Sequence, residues 1–265
     1  MEKISPAFPY PGGKSRLLKH ILPLIPEHAI YVEPFAGGLA VLLAKKRAKT
    51  EVVNDLDKEI VNFYRCLRSH KTALINEIGG SARINSREDF TELLAPPAGD
   101  ATDLQRAARW FVVRVCSYGG QSECWGRSLT GYHGWEATRH EAAISRVSER
   151  LQRVFIENRD WEEIVTRFDS PDTFFYFDPP YVNASVTAYH PFSYDEMKRI
   201  RNRLDKLQGT WLLSCDDSPS CREIFAGLPV RELKIGYTLG SRYVTRKQAG
   251  ELLVFHPKLA HLPHA

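Results

Sequence analysis

Apolar residues along the chain fall into short runs and one-sided stripes that alternate in period. The run Phe174-Phe-Tyr-Phe177 is too short for a globular helix, consists of β-formers and is closed by Asp178-Pro-Pro-Tyr181, which predicts a buried strand ending at the Asp178 carboxylate. Ile30–Glu33 and Glu51–Asn54 read as short strands around a helix beginning near Leu39, with a Gly-containing loop at Phe35-Ala-Gly-Gly38 between them. From about Lys58, Ile60, Val61, Tyr64 and Leu67 recur at helical spacing. A strand is predicted near Val154–Glu157. Ser193 and Glu196 form a capping-box pattern ahead of Met197, Ile200, Leu204 and Leu207, the apolar face of another helix. Trp211–Cys215 reads as a strand, Ile224 and Phe225 sit in a short helix, and Val230–Ile235 and Glu251–Phe255 pair as a hairpin across a long basic loop.

Between residues 70 and 153 the strand-helix alternation lapses. This stretch holds Ala-Pro-Pro-Ala-Gly at 95–99 and ends in Tyr118-Gly-Gly-Gln-Ser-Glu-Cys-Trp-Gly126. The predicted architecture is therefore α/β, a Rossmann-like mixed sheet with a C-terminal β-hairpin from residues 1–69 and 154–265, interrupted by a mainly helical inserted domain over 70–153.

Composition narrows the function classes. With 265 residues and 43% hydrophobic positions the chain can bury a full core. The five cysteines (66, 116, 124, 215, 221) are odd in number and lack a C-x-x-C pair, so neither a disulfide framework nor a zinc site is expected, and no metal is required by the motifs. No run approaches the ~20 apolar residues of a membrane span, and no secretory signal pattern opens the chain, which predicts a soluble cytoplasmic protein. The net charge of +4 permits a polyanionic partner. Its distribution says more. Arg106, Arg109, Arg114 and Arg127 face only Glu123 over 104–127, and Lys234, Arg242, Arg246 and Lys247 stand without an acid over 233–250.

Asp178-Pro179-Pro180-Tyr181 carries the chemistry. Two prolines fix φ and remove two donors, so the turn offers carbonyl oxygens and a carboxylate as rigid acceptors. An exocyclic base amine has two N–H groups to give such a set and a lone pair too delocalised to be nucleophilic unaided. Tyr181 would stack on a base taken out of the duplex. An ordinary strand-to-loop turn is the plain alternative. Gly37 and Gly38 follow one strand, and Asp55 lies 18 residues beyond Gly37 at the end of the next, near the ~20 expected of a ribose-binding acid. The loop does not complete G-x-G-x-x-G, which favours a nucleoside cofactor without a pyrophosphate. Pro11-Gly-Gly-Lys-Ser15 lacks the first glycine of a phosphate loop because Phe8 stands there. Lys14 could instead meet a carboxylate, with Tyr10 packed on the cofactor. Asp160-Trp161 reads equally as an adenine contact or as a helix N-cap with a core tryptophan. Asp216-Asp217-Ser218 reads as a helix cap. A nuclease metal triad from Asp172, Glu232 and Lys234 is matched only faintly.

In order along the chain, Phe8-Pro-Tyr-Pro-Gly-Gly-Lys14, Val32-Glu-Pro-Phe-Ala-Gly-Gly38, Val53-Asn-Asp-Leu56, Asp178–Tyr181, Thr187-Ala-Tyr-His190 with Phe192-Ser193, Leu213-Ser-Cys-Asp216, and Arg246-Lys with Glu251-Leu-Leu253 resemble the Dam-like, D12-class DNA adenine-N6 methyltransferases. The resemblance implies methyl transfer from S-adenosyl-L-methionine to adenine N6 in double-stranded DNA by base flipping. It implies that Tyr10, Lys14, Glu33, Phe35, Gly37, Asp55, Asp160, Trp161 and Asp178 meet the cofactor and that Asp178, Pro179, Pro180 and Tyr181 form the catalytic motif. Residues 70–153 would be the target-recognition domain, with Arg114, Tyr118, Arg127, Tyr189, Arg242, Arg246 and Lys247 on DNA. It further implies a prokaryotic or phage-infected cell, a place on the nucleoid, and room for a cognate restriction endonuclease as partner. Cytosine-N4 or RNA methylation, and a DNA-binding module without catalysis, share enough of this chemistry to stand as alternatives. Two departures matter. Leu39 stands where family members often carry glycine, which predicts a tighter or re-routed cofactor loop, and the residues around Tyr118 depart from the pattern that accompanies a GATC target.

Overall fold

The computed structural model describes residues 4–81, 87–95, 99–117, 120, 137–182, 192–236 and 248–262. The strands are β1 (Ile30–Glu33), β2 (Thr50–Asn54), β3 (Val154–Glu157), β4 (Thr173–Phe177), β5 (Thr210–Asp216), β6 (Val230–Gly236) and β7 (Gln248–Phe255). The helices are α1 (Leu18–Ile21), α2 (Ala40–Ala44), α3 (Lys58–Ser69), α4 (Lys71–Ser81), α5 (Arg87–Leu94), α6 (Asp103–Cys116), α7 (Ala137–Leu151), α8 (Trp161–Phe168), α9 (Tyr194–Leu204) and α10 (Pro219–Ile224).

Among the described residues, seven strands form one sheet in the order β3-β2-β1-β4-β5-β7-β6. β1 runs parallel to β2 and β4, and β4 parallel to β5. The predicted hairpin closes the sheet antiparallel, with β7 between β5 and β6. The fold class is α/β as the alternation predicts. The predicted strand at 174–178 begins at Thr173 and stops at Phe177, so Asp178 is the first residue past the ladder. Leu207, read as helical, lies beyond α9, which ends at Leu204.

Contacts group the chain into two compact units, one of Met1–Leu18, Gly37–Lys46 and Asp55–Asn158, the other of Lys19–Ala36, Arg47–Asn54 and Arg159–Ala265. In the first, α4, α6 and α7 pack on α3 and α5 packs on α6; Asp57 caps α3 by accepting the Glu59 N–H at 2.9 Å. Thr102 and Gln105 form a full capping box at the start of α6. Rings hold this unit together. Phe8 meets Trp110 edge-on at 4.9 Å, and Phe63 stacks on Phe111 at 5.3 Å. Arg65 and Arg68 of α3 donate to the Ile156 and Val154 carbonyls of β3, at 3.1 and 2.9 Å.

In the second unit the sheet's pleat sorts residues onto two faces. Val32, Phe175, Phe177, Trp211, Leu213, Cys215, Leu252 and Val254 pack against Trp161, Ile164 and Val165 of α8, Met197, Ile200 and Leu204 of α9 and Cys221 of α10. The alternate positions on the opposite face include Tyr31, Glu33, Tyr176, Ser214 and Glu251, all buried and polar. Such positions cost stability unless their polar atoms are bonded. Cys66, Cys116, Cys215 and Cys221 are buried. Among the described residues no helix is long and apolar enough to cross a membrane.

Candidate active site

In the first unit a small cradle forms around the Gly loop. Gly37, at φ +44°, donates its N–H to Asp55 Oδ2 at 2.9 Å, and its carbonyl accepts the Tyr64 hydroxyl at 2.6 Å. Asp55 Oδ1 accepts the Asp57 N–H at 3.0 Å. Burial pushes the Asp55 carboxyl up to about 6, against the opposing pull of the backbone N–H groups of Asp57 and Gly37. The Tyr10 ring lies on the glycine pair. A Cβ on Gly37 would stand 3.0 Å from Tyr10 Cε1, and one on Gly38 would stand 3.0 Å from Tyr10 Cβ. Leu39, the N-cap of α2, takes the left-handed conformation (φ 59°, ψ 23°) with its side chain buried. The departure from glycine is thus absorbed as local backbone strain.

Lys14 is not the solvated loop lysine that its sequence context alone suggests. It is buried, and its Nζ donates to the Gly12 carbonyl at 3.0 Å. Arg114, expected on DNA, is 4% exposed. Its guanidinium lies 5.4 Å from the Tyr10 ring centre and 5.1 Å from that of Trp110, and Nη1 donates to the Gly120 carbonyl at 2.6 Å. In this placement the guanidinium packs on Tyr10. Tyr118, Arg127, Tyr189, Arg242, Arg246 and Lys247 lie outside the described residues.

In the second unit β1 and β4 are parallel neighbours whose chain continuations leave in opposite directions across the sheet, the point where open α/β sheets bind ligands at the strands' carboxyl ends. Glu33 ends β1, buried, with Oε1 accepting the Tyr31 hydroxyl at 2.6 Å. Burial and this carboxylate hold the Tyr31 hydroxyl proton well above the usual phenol range. Phe35 follows, its ring 6.3 Å from Trp161 and 6.0 Å from Phe192. Asp160 caps α8, with Oδ1 accepting the Glu162 N–H at 2.9 Å, so the capping role is realised. Trp161 is buried, with Nε1 3.4 Å from Glu196 Oε2 and the Arg199 guanidinium 5.6 Å from its ring centre.

Asp178 leaves β4 half-buried, and its Oδ1 accepts the Ser214 hydroxyl at 2.8 Å. Tyr176 Oη lies 3.0 Å from the same Ser214 oxygen. A serine has one proton, so with Ser214 donating to Asp178 the Tyr176 hydroxyl donates to Ser214. Tyr181 donates its hydroxyl to Oε1 of the buried Glu251. Asp217 and Glu232 both pair with Arg222, at 2.5 and 2.6 Å, and among the described residues no group of three or more His, Cys, Asp or Glu side chains could hold a metal ion.

Two residues were not legible as site elements. Asn54 is 1% exposed and donates to the Pro34 and Arg159 carbonyls, at 2.9 and 3.0 Å, while accepting the Arg159 N–H at 2.9 Å. It ties the loop after β1 to the segment before α8. Ser214 sits in an apolar strand, within the segment Leu213-Ser-Cys-Asp216 that carries part of the family resemblance but assigns the serine no role.

Residues 10–237 match the family described as D12 class N6 adenine-specific DNA methyltransferase. The chain is 28% identical to the Type II methyltransferase M1.LlaDCHI of Lactococcus lactis subsp. cremoris, over 95% of each chain. It is 25% identical to the Type II methyltransferase M.MjaIII of Methanocaldococcus jannaschii, over 80% of this chain and 84% of that one. It is 24% identical to the DNA adenine methylase of Vibrio cholerae serotype O1, over 98% and 99%. With the mixed sheet and the ordered motifs, these findings establish that the chain belongs to the D12 class of N6 adenine-specific DNA methyltransferases, enzymes that methylate adenine in DNA site-specifically.

Proposed function

We propose that the methyl donor is S-adenosyl-L-methionine and that the acceptor is an adenine turned out of double-stranded DNA onto Asp178–Tyr181. The observation that carries this reading is the place of Asp178, immediately past the carboxyl end of β4 beside the end of β1, with its carboxylate held by Ser214. When bound, the cofactor supplies a methyl group on a sulfonium, an electrophile that needs no metal. The first unit fits a nucleoside. Tyr10 lies over glycines with no Cβ between, and the Asp55 carboxylate, held by the Gly37 and Asp57 N–H groups, is an acceptor suited to a ribose hydroxyl. Tyr10, Lys14, Gly37 and Asp55 are proposed as cofactor contacts from that unit, and Glu33, Phe35, Trp161 and Asp178 from the other. Asp160 is retained through its second carboxylate oxygen. The motif order along the chain is what assigns both sets to one cofactor.

Asp178 and the Pro179 carbonyl accept the two amine N–H groups, which localises the lone pair on N6 and aims it at the methyl carbon. The bound cofactor would supply the methyl group for the new N–C bond, its sulfur keeping the electrons of the C–S bond given up. The extra N6 proton leaves through the acceptors that hold it. Pro180 keeps the turn rigid, and Tyr181 stacks on the base. Residues 1–69 and 154–265 are proposed as the catalytic domain and 70–153 as the target-recognition domain, with Tyr118, Arg127, Tyr189, Arg242, Arg246 and Lys247 on DNA. A cytoplasmic enzyme acting on the nucleoid fits this substrate. A cognate restriction endonuclease is proposed as partner because two relatives carry Type II methyltransferase names.

The test is methyl transfer from labelled S-adenosyl-L-methionine to unmethylated genomic DNA, with modification-resolving sequencing of the product. N6-methyladenine in one short motif is expected, lost in Asp178→Ala at unchanged melting temperature. Full transfer by that variant would overturn the role given to Asp178.

A further inference from the structure

The turn at Asp178–Tyr181 has a stiff middle and two ends whose side chains the prolines do not restrain. The prolines fix the backbone, but neither restrains the side-chain torsions of Asp178 or Tyr181. Both are set from neighbouring strands. Ser214 of β5 follows Leu213, the register partner of Phe177, and bonds Asp178 at 2.8 Å. Glu251 of β7, the register partner of Asp216, accepts the Tyr181 hydroxyl. Ser214 is itself the register partner of Leu253, two residues from Glu251, so both restraints come from one antiparallel pair.

Ser214 is 0% exposed and Glu251 1%. Valine or leucine would fill such sheet positions without the cost of burying a hydroxyl and a carboxyl. Both polar residues instead spend a bond on the two side chains that must meet the base, out of water where such bonds are strong. We propose that Ser214 and Glu251 are positioning residues that brace the two ends of Asp178–Tyr181, Ser214 by orienting the Asp178 carboxylate toward the amine and Glu251 by fixing the Tyr181 ring in its stacking plane. This rests on the role given to Asp178 above.

The test compares kcat and KM for DNA methylation, with melting temperature, in Ser214→Ala, Ser214→Thr, Tyr181→Phe, Glu251→Leu and the Tyr181→Phe/Glu251→Leu double variant, beside Asp178→Ala. Ser214→Ala is expected to lower kcat by about tenfold to a hundredfold with KM for DNA nearly unchanged, and Ser214→Thr, which keeps the hydroxyl, to recover most of it. Tyr181→Phe and Glu251→Leu, which cannot accept the hydroxyl, are both expected to lower kcat, and the double variant to be no worse than Glu251→Leu alone, because the Tyr181 bond is already lost there. If Asp178→Ala is inactive while Ser214→Ala and Tyr181→Phe keep wild-type kcat, the brace is refuted and the catalytic reading stands. If Asp178→Ala keeps activity, that reading is what fails. Should Ser214→Ala not fold, strictly additive losses in the Tyr181/Glu251 cycle would still overturn the brace.

Discussion

Gly37 donates its backbone N–H to the Asp55 carboxylate at 2.9 Å across 18 residues, so the Gly loop and the acid expected to hold a ribose form one hydrogen-bonded unit. The same burial that places Asp55 there lifts its carboxyl from 3.8 to about 6. Because the folded protein holds this proton more tightly than the unfolded chain, the stability contributed by the carboxyl falls as pH rises from about 4 to about 6.

Cofactor binding should run the other way. An ionised Asp55 is the better acceptor, so affinity for S-adenosyl-L-methionine should be level above pH 7 and weaken by up to about tenfold per unit below 6. Calorimetric titration from pH 5 to 8 checks this. Asp55→Asn should flatten the profile, and a level profile in the unaltered enzyme would contradict it.

Gly38→Ala places a Cβ at 3.0 Å from Tyr10 Cβ. The ring must shift, at a cost of about 1–3 kcal/mol in urea unfolding, together with weaker cofactor binding. Removing the Tyr10 Cβ and ring as well, in Tyr10→Gly/Gly38→Ala, should recover the part of the stability loss due to the clash but not the affinity. Additive stability losses would show that the two residues do not collide.

Leu39→Gly sets two effects against each other. Relief of a left-handed leucine is worth about 1–2 kcal/mol. Loss of its buried side chain costs more, so a net destabilisation of about 2–4 kcal/mol is expected. Cofactor affinity should stay within a few-fold, because the backbone already has the conformation a glycine would adopt. Urea unfolding and a cofactor titration read the two separately.

Arg114→Gln removes a planar guanidinium, and its charge, held near two rings and a backbone carbonyl. Loss of about 1–2 kcal/mol of stability is expected. The salt dependence of DNA binding should keep its slope. A fall of about one in that slope would restore the phosphate contact expected from sequence.

The legible parts of the fold were those with a local signature. Phe174–Phe177 reads as a strand because four β-formers end at prolines, and α3 because its apolar stripe holds a 3.6-residue period. Asp178, Tyr181, Gly37 and Asp55 were legible as chemistry because short motifs fix their neighbours. Ser214, Asn54 and Glu251 gain their roles through contacts 36, 105 and 70 residues away, which no window of periodicity contains. Arg114 shows a related effect. A basic residue among aromatics suggests nucleic acid, yet its charge is spent inside the unit, on Tyr10, Trp110 and Gly120. Asp160 had two local readings, and the helix took the nearer one.

The guanidinium groups that α3 extends to β3 bear on a hazard that catalysis does not touch. A sheet that ends in an open strand is a template on which another chain can grow. β3 is the terminal strand, and Phe155 leaves it 56% exposed. The carbonyls of Val154 and Ile156 are already occupied by Arg68 and Arg65. A foreign strand would have to displace two charged side chains to add there, so this rim resists fibril growth even in a crowded cell.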